Sequence, residues 1–259
     1  MLTATLLLGS VPQAEGYGLC VGGVAVDSLN AHNIGDGSPN ISGRACYDPA
    51  SNTLMLDHAT IDIVTPASGE PLIYGIESSL DSLTIVAAGS NQVYGPLVGI
   101  AGRQITITGA GSLEAEGQGG GIEVAGLAVE GGCEVTCGSI LHSLSANALT
   151  VNTSTLVILN PLDESTLPAF TSLGHVELTG CDVVRPAGAV AYDAGAHRLT
   201  DNGTISGPVV IAPTVTTTAE TGFRKQTTGS TWHRVDGRRL PHPDSPGIYI
   251  NQQRTVVIP

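Results

Sequence analysis

Aromatic residues make up only 3% of this chain and charged residues 13%. A core built on bulky rings is therefore excluded, and any interior must be filled by Val, Ile, Leu and Ala, which suits thin stacked layers. Lysine occurs once, as Lys225, and that removes most amine chemistry. No run approaches the roughly 18 apolar residues that a membrane span requires. The seven histidines form no HExxH or paired arrangement and read as loop or surface residues. Gly119-Gly120-Gly121 lies at a bend with no helix after it, so it is not a phosphate loop. The five cysteines are odd in number, and Cys133-Glu134-Val135-Thr136-Cys137 has no second pair with which to build a zinc site. Cys20 and Cys46 are left open, as a bridge or as two separate thiols. No metal, cofactor or catalytic residue is expected.

What the chain does have is a period. From Gly75 to Leu162 it repeats every 22 residues, in blocks 75–96, 97–118, 119–140 and 141–162. Leu83, Ile105, Leu127 and Leu149 form one apolar column, and Ile85, Ile107, Val129 and Val151 form the next but one. A third column holds Val93, Ala115, Cys137 and Leu159. Alternation such as Ile105-Thr106-Ile107-Thr108 is the period of a strand with one buried face, and Gly109-Ala110-Gly111 is a place to bend. One such block cannot bury its own column or pair its own edges. Copies stacked about 4.8 Å apart do both. The expected fold is all-β: a right-handed parallel β-helix with turns of about 22 residues, an N-terminal cap and a small C-terminal β tail. A sandwich of hairpins would instead give antiparallel neighbours and turn signals about every 8 to 12 residues.

The net charge of −13 is unevenly spread. Between Leu54 and Pro186 there are 14 acidic residues against Arg103 and Arg185, whereas six basic residues face Asp236 and Asp244 from Phe223 onward. An acidic coil argues against nucleic-acid binding.

Taken in order, residues 1–16 hold Leu6-Leu7-Leu8 followed by small residues near Ala14, and read as the remnant of a secretory signal without its charged start. Residues 17–57 read as a cap covering the first strand edge, residues 58–212 as the coil, 213–222 as a linker and 223–259 as the tail. Within the cap, Gly18-Leu19-Cys20-Val21-Gly22-Gly23-Val24, Ile41-Ser42-Gly43 and Tyr47-Asp48-Pro49-Ala50-Ser51-Asn52-Thr53-Leu54 resemble the amino-terminal module of secreted β-helical proteins from gut Bacteroidetes, a group often labelled carbohydrate-binding. In the tail, Val235-Asp236-Gly237-Arg238-Arg239-Leu240 and Gly247-Ile248-Tyr249-Ile250, closing with Thr255-Val256-Val257-Ile258, resemble the end of the sorting domain for type IX secretion, although Pro259 stands where that family has a basic residue. These resemblances imply an exported or outer-surface protein, handled by secretion machinery through its tail and meeting polysaccharide or a surface glycan.

Two functions compete. A pectin-lyase-like lyase or hydrolase would need clustered carboxylates and an arginine base. Arg103 is the one basic residue of the regular coil, but Glu114, Glu116, Glu123 and Glu130 form no ladder, since their neighbours by period are Gln92 and Thr136, Tyr94 and Gly138, Ala101 and Ser145, and Thr108 and Asn152. A non-catalytic binder or adhesin would use a flat polar face, such as Thr84, Thr106, Ala128 and Thr150 flanked by Ser82, Gln104, Gly126 and Ala148. Threonine also favours strands for its own sake, which leaves a structural or protein-interaction scaffold as a further alternative. Ice binding fails because the Thr106 and Thr108 pair does not recur. The expectation is a binder with no assigned carbohydrate-binding residues, although Tyr94 is the only aromatic side chain of the regular coil.

Overall fold

The computed structural model describes residues 15–63, 74–159, 170–187, 190–193, 195, 198–200, 208–214, 232–234, 239–240, 247–251 and 254–258. Residues 1–14, most of the expected secretory remnant, and residues 215–222 of the expected linker lie outside them. The chain divides into two units, Met1–Thr214 and Val215–Pro259.

The first unit begins with β1 (Gly16–Val21), β2 (Val24–Asp27), β3 (Ile41–Asp48), β4 (Thr53–Asp62) and β5 (Tyr74–Ser78). It continues with β6 (Ser82–Ala88), β7 (Ser90–Gly95), β8 (Val98–Thr108), β9 (Ser112–Gly117), β10 (Gly120–Val129), β11 (Glu134–Ser139), β12 (His142–Asn152) and β13 (Thr155–Ile158). After these come β14 (Phe170–Thr171), β15 (His175–Thr179), β16 (Cys181–Arg185), β17 (Ala191–Asp193), β18 (Arg198–Thr200) and β19 (Val209–Pro213).

Each turn contributes to three parallel sheets. Sheet A joins β5 to the first halves of β8, β10 and β12, then to β14. Sheet B joins the first half of β4 to β6, to the second halves of β8, β10 and β12, and to β15. Sheet C joins the second half of β4 to β7, β9, β11 and β13. The chain is thus a parallel β-solenoid, as its period requires. Leu83 pairs with Ile105, Ile105 with Leu127 and Leu127 with Leu149, and all four are buried. Each such side chain contributes on the order of 1.5–3 kcal/mol by leaving water.

The period slips in three places. Glu134 pairs with Thr155 and Cys137 with Ile158, so the third column ends on Ile158 and not on Leu159. The bend after β12 holds only Thr153 and Ser154, one residue fewer than expected, with Thr153 at φ 47°. Tyr74 pairs with Val98 because two additional residues occupy the connection between β5 and β6. Ala148 pairs with His175, five residues later than the period would place it. Bends carry no apolar signal, so sequence columns cannot report their lengths.

Both ends of the coil are closed by antiparallel strands. The chain enters through the two-residue hairpin Val21-Gly22-Gly23-Val24, whose glycines at φ 57° and 79° match the twist of a tight hairpin. β1 then covers β5, and β3 covers the whole of β4. At the other end β19 runs antiparallel between β13 and β16, so the strand that would have followed in sheet C is held one strand further away. Val209 and Ile211 of β19 complete the interior. The β17–β18 hairpin adds buried Leu199 to the core, and Tyr192 donates its hydroxyl to Leu173 O at 2.8 Å.

Asn91 is a buried polar residue within an otherwise apolar inner column. It occupies the column continued by Leu113, Val135 and Leu156 and is 1% exposed. Its Oδ1 accepts from Ala59 N at 2.9 Å, while Nδ2 donates to Ala88 O and Ser112 O at 3.0 Å. It therefore ties three successive strands of the B–C corner and leaves no buried polar atom of its own unpaired.

The second unit holds β20 (Trp232–Arg234), β21 (Arg239–Leu240), β22 (Gly247–Asn251) and β23 (Arg254–Ile258), ordered β21-β20-β22-β23 with antiparallel pairing throughout. Asn251 pairs with Arg254 where β22 and β23 join.

Candidate functional site

Alternation along β7, β9 and β11 sends every second side chain outward, and the parallel register stacks them in rows. One row reads Thr60, Gln92, Glu114 and Thr136, and the next reads Asp62, Tyr94, Glu116 and Gly138. Gln92 Nε2 donates to Glu114 Oε2 at 3.1 Å, which fixes that carboxylate across the strand boundary. Between the rows lies a depression of about 250 Å³ bordered by Thr60, Asp62, Gln92 and Glu114. Beyond Tyr94 and Glu116 a second hollow of about 430 Å³ is bordered by Gly138, Ser139, Ile140, Leu159 and Pro208. Tyr94 and Glu116 belong to both, so the two form one groove along the outside of sheet C.

Gly138 creates much of the room. A Cβ there would come within 3.2 Å of Leu159 Cδ1 and 3.5 Å of Glu116 Oε1. The rim is apolar, with Leu97, Ile140 and Leu141 all substantially exposed at the neighbouring corner. Ser139 is 7% exposed, and its buried hydroxyl finds no hydrogen-bond partner among the described residues. Burial, followed by the neighbouring Glu114 charge, holds the Glu116 carboxyl above its ordinary value. Strands β7, β9 and β11 carry no Lys, Arg or His, and Glu134 adds a further acid to the same face. Arg185 stands at the far end of the sheet, beyond β13 and β19.

The carboxylates singled out in the sequence do not converge on Arg103. Arg103 Nη1 bonds Asp81 Oδ1 at 2.6 Å, with both side chains well exposed. Glu123 is on sheet A, where its Oε1 lies 2.9 Å from His142 Nε2. Glu130 sits in the bend after β10, and only Glu114 and Glu116 share a strand and a face. Sequence alternation could have placed that pair together, and the period could have put Tyr94 beside Glu116. The depth of the groove could not have been read, because it depends on Leu159 and Pro208.

The polar row Thr84, Thr106, Ala128 and Thr150 exists on sheet B as expected, beside Ser82, Gln104, Gly126 and Ala148. All five cysteines are free, Cys20 and Cys46 included. Burial pushes the Cys137 thiol up to about 12, and Cys133 lies buried with its Sγ 3.2 Å from Glu130 O. Neither can serve as a nucleophile at neutral pH. Among the described residues no three His, Cys, Asp or Glu side chains are placed to hold a metal ion, and no helix is long and apolar enough to cross a membrane. Compared with known protein families, curated proteins and solved structures, the chain matches none.

Proposed function

We propose that this is a non-catalytic glycan-binding β-solenoid working outside the cell or on its outer surface, with the sheet C groove as its binding face. The observation that carries this is the position of Tyr94. The one aromatic ring of the regular coil stands in the middle of an extended groove, between carboxylates, an amide and hydroxyls. Sugar sites combine a flat apolar platform with a few fixed polar groups in this way. The resemblance of the cap to secreted Bacteroidetes β-helical modules, and of the tail to a type IX sorting domain, supports export and fits a polysaccharide or surface-glycan partner.

Acidic polysaccharides are poor partners for such a face. Uronate carboxylates would meet Asp62, Glu114 and Glu116 with no basic residue on the three central strands to offset the repulsion. The lyase alternative is weakened on the same ground. One observation favours a hydrolase of uncharged glycans as the second reading: Glu114 and Glu116 are outward neighbours on β9, about 6.6 Å apart along the strand, and burial shifts Glu116 toward its protonated form. A glycan array run beside a reducing-end assay on the same polysaccharides tests both. Retention without new reducing ends, lost in Tyr94→Ala, supports the binder. Turnover abolished by Glu116→Gln would replace it with the hydrolase.

A further inference from the structure

The groove sets an aromatic ring among carboxylate acceptors, with nothing basic on its three central strands. Asp62, Glu114 and Glu116 border it, Tyr94 stands between Asp62 and Glu116 in one outward row, and Gln92 is committed to Glu114. Carboxylates flanking a ring face are the arrangement that recognises an organic ammonium, by charge-assisted hydrogen bonds together with cation–π attraction. A compact metal ion is a poor fit, because no three ligating side chains converge among the described residues. An amine carried on a sugar ring would present the ammonium to Glu116 while its apolar ring face lies on Tyr94.

We propose that the sheet C groove selects glycans bearing free amino groups, that is, hexosamine units that are not N-acylated. This rests on the glycan-binding reading and narrows it to a charge class. Glu116 is the principal contact, because it borders both halves of the groove and the side chain of Gly138 is absent beside it. Its raised pKa agrees with a carboxylate waiting for a cation: an ammonium would draw it back toward its ordinary range, so binding releases a proton near that pKa.

The test uses the full chain and three β-1,4-linked oligomers of equal length, of glucosamine, N-acetylglucosamine and glucose, in isothermal titration at pH 6. The glucosamine oligomer is expected to bind about tenfold more tightly than either of the others at low salt. The advantage should shrink severalfold at an ionic strength of about 0.5 M, as screening predicts. Glu116→Gln should bring the three ligands to similar affinity, while Tyr94→Ala weakens all of them. Glu134→Gln, on the same face outside the groove, should leave the preference unchanged and so controls for general charge attraction. Equal affinity for the three oligomers overturns the amino-sugar inference and leaves glycan binding standing. A preference that survives Glu116→Gln, or one lost equally in Glu134→Gln, also overturns it. Failure of all three to bind, with another glycan on the array retained through Tyr94, does the same.

Discussion

Sheets B and C are written by the same 22-residue repeat, and inside the coil they look alike. Ile85, Ile107, Val129 and Val151 stack within B, as Val93, Ala115, Cys137 and Ile158 do within C. Outside they part company. One outer row of sheet B sets Thr84 on Thr106, with Ala128 before Thr150. Sheet C sets Tyr94 on Glu116 on Gly138. The inner columns are uniform because each must fill the same thin layer. The outer row of sheet B needs no explanation beyond strand preference. The fold does not ask for the irregular row of sheet C, so its side chains are free to serve recognition.

The contrast between inside and outside can be broken most violently at one rung. Ile107→Asp buries an unpaired charge and should cost more than about 4 kcal/mol, enough to unfold the first unit in a denaturant titration, whereas neighbouring Thr106→Asp should stay within about 0.5 kcal/mol. Leu127→Ala removes one layer of a buried column and should cost about 2–5 kcal/mol on the same measurement. Asn91→Ala leaves the Ala59 amide without its acceptor and should cost about 1–3 kcal/mol. The contrast between sheets is sharpened by Gly138→Val. It should fill the hollow beside Glu116 and weaken glycan retention with little loss of stability, while Ala128→Val on sheet B leaves retention unchanged.

The smallest expected effect is a pH dependence. The folded pKa of Glu116 lies above its unfolded value, so the protonated form suits the fold, and the group becomes unfavourable as pH rises through that raised pKa. Glu116→Gln should therefore match the parent near pH 4 and melt slightly higher near pH 7. A melting-temperature gap that shrinks toward neutral pH would contradict the burial of this carboxyl.

Much of the coil was legible in the sequence, because apolar side chains recur at a fixed period and alternate within it. Leu83, Ile105, Leu127 and Leu149 needed nothing more. The period points to Leu159 where Ile158 stands, because the bend at Thr153 is one residue shorter and bends bury too little to leave a pattern. The place of β19 between β13 and β16 is not readable, since a single apolar run names no partner. Tyr94, Glu114 and Glu116 are visible in the sequence as departures from their columns, whereas Asp62 precedes the repeat. Their meeting in a groove depended on the space left by Gly138 and on Leu159 reaching from the next turn.

Hydrogen exchange read by mass spectrometry, with and without the glycan retained best on the array, tests the contrast between the two outer faces most directly. Bound ligand should slow exchange in peptides covering Asn91–Gly95 and Leu113–Gly117 and leave Ser82–Val86 and Gln104–Thr108 unchanged. Protection confined to the sheet B peptides would contradict a binding face on sheet C.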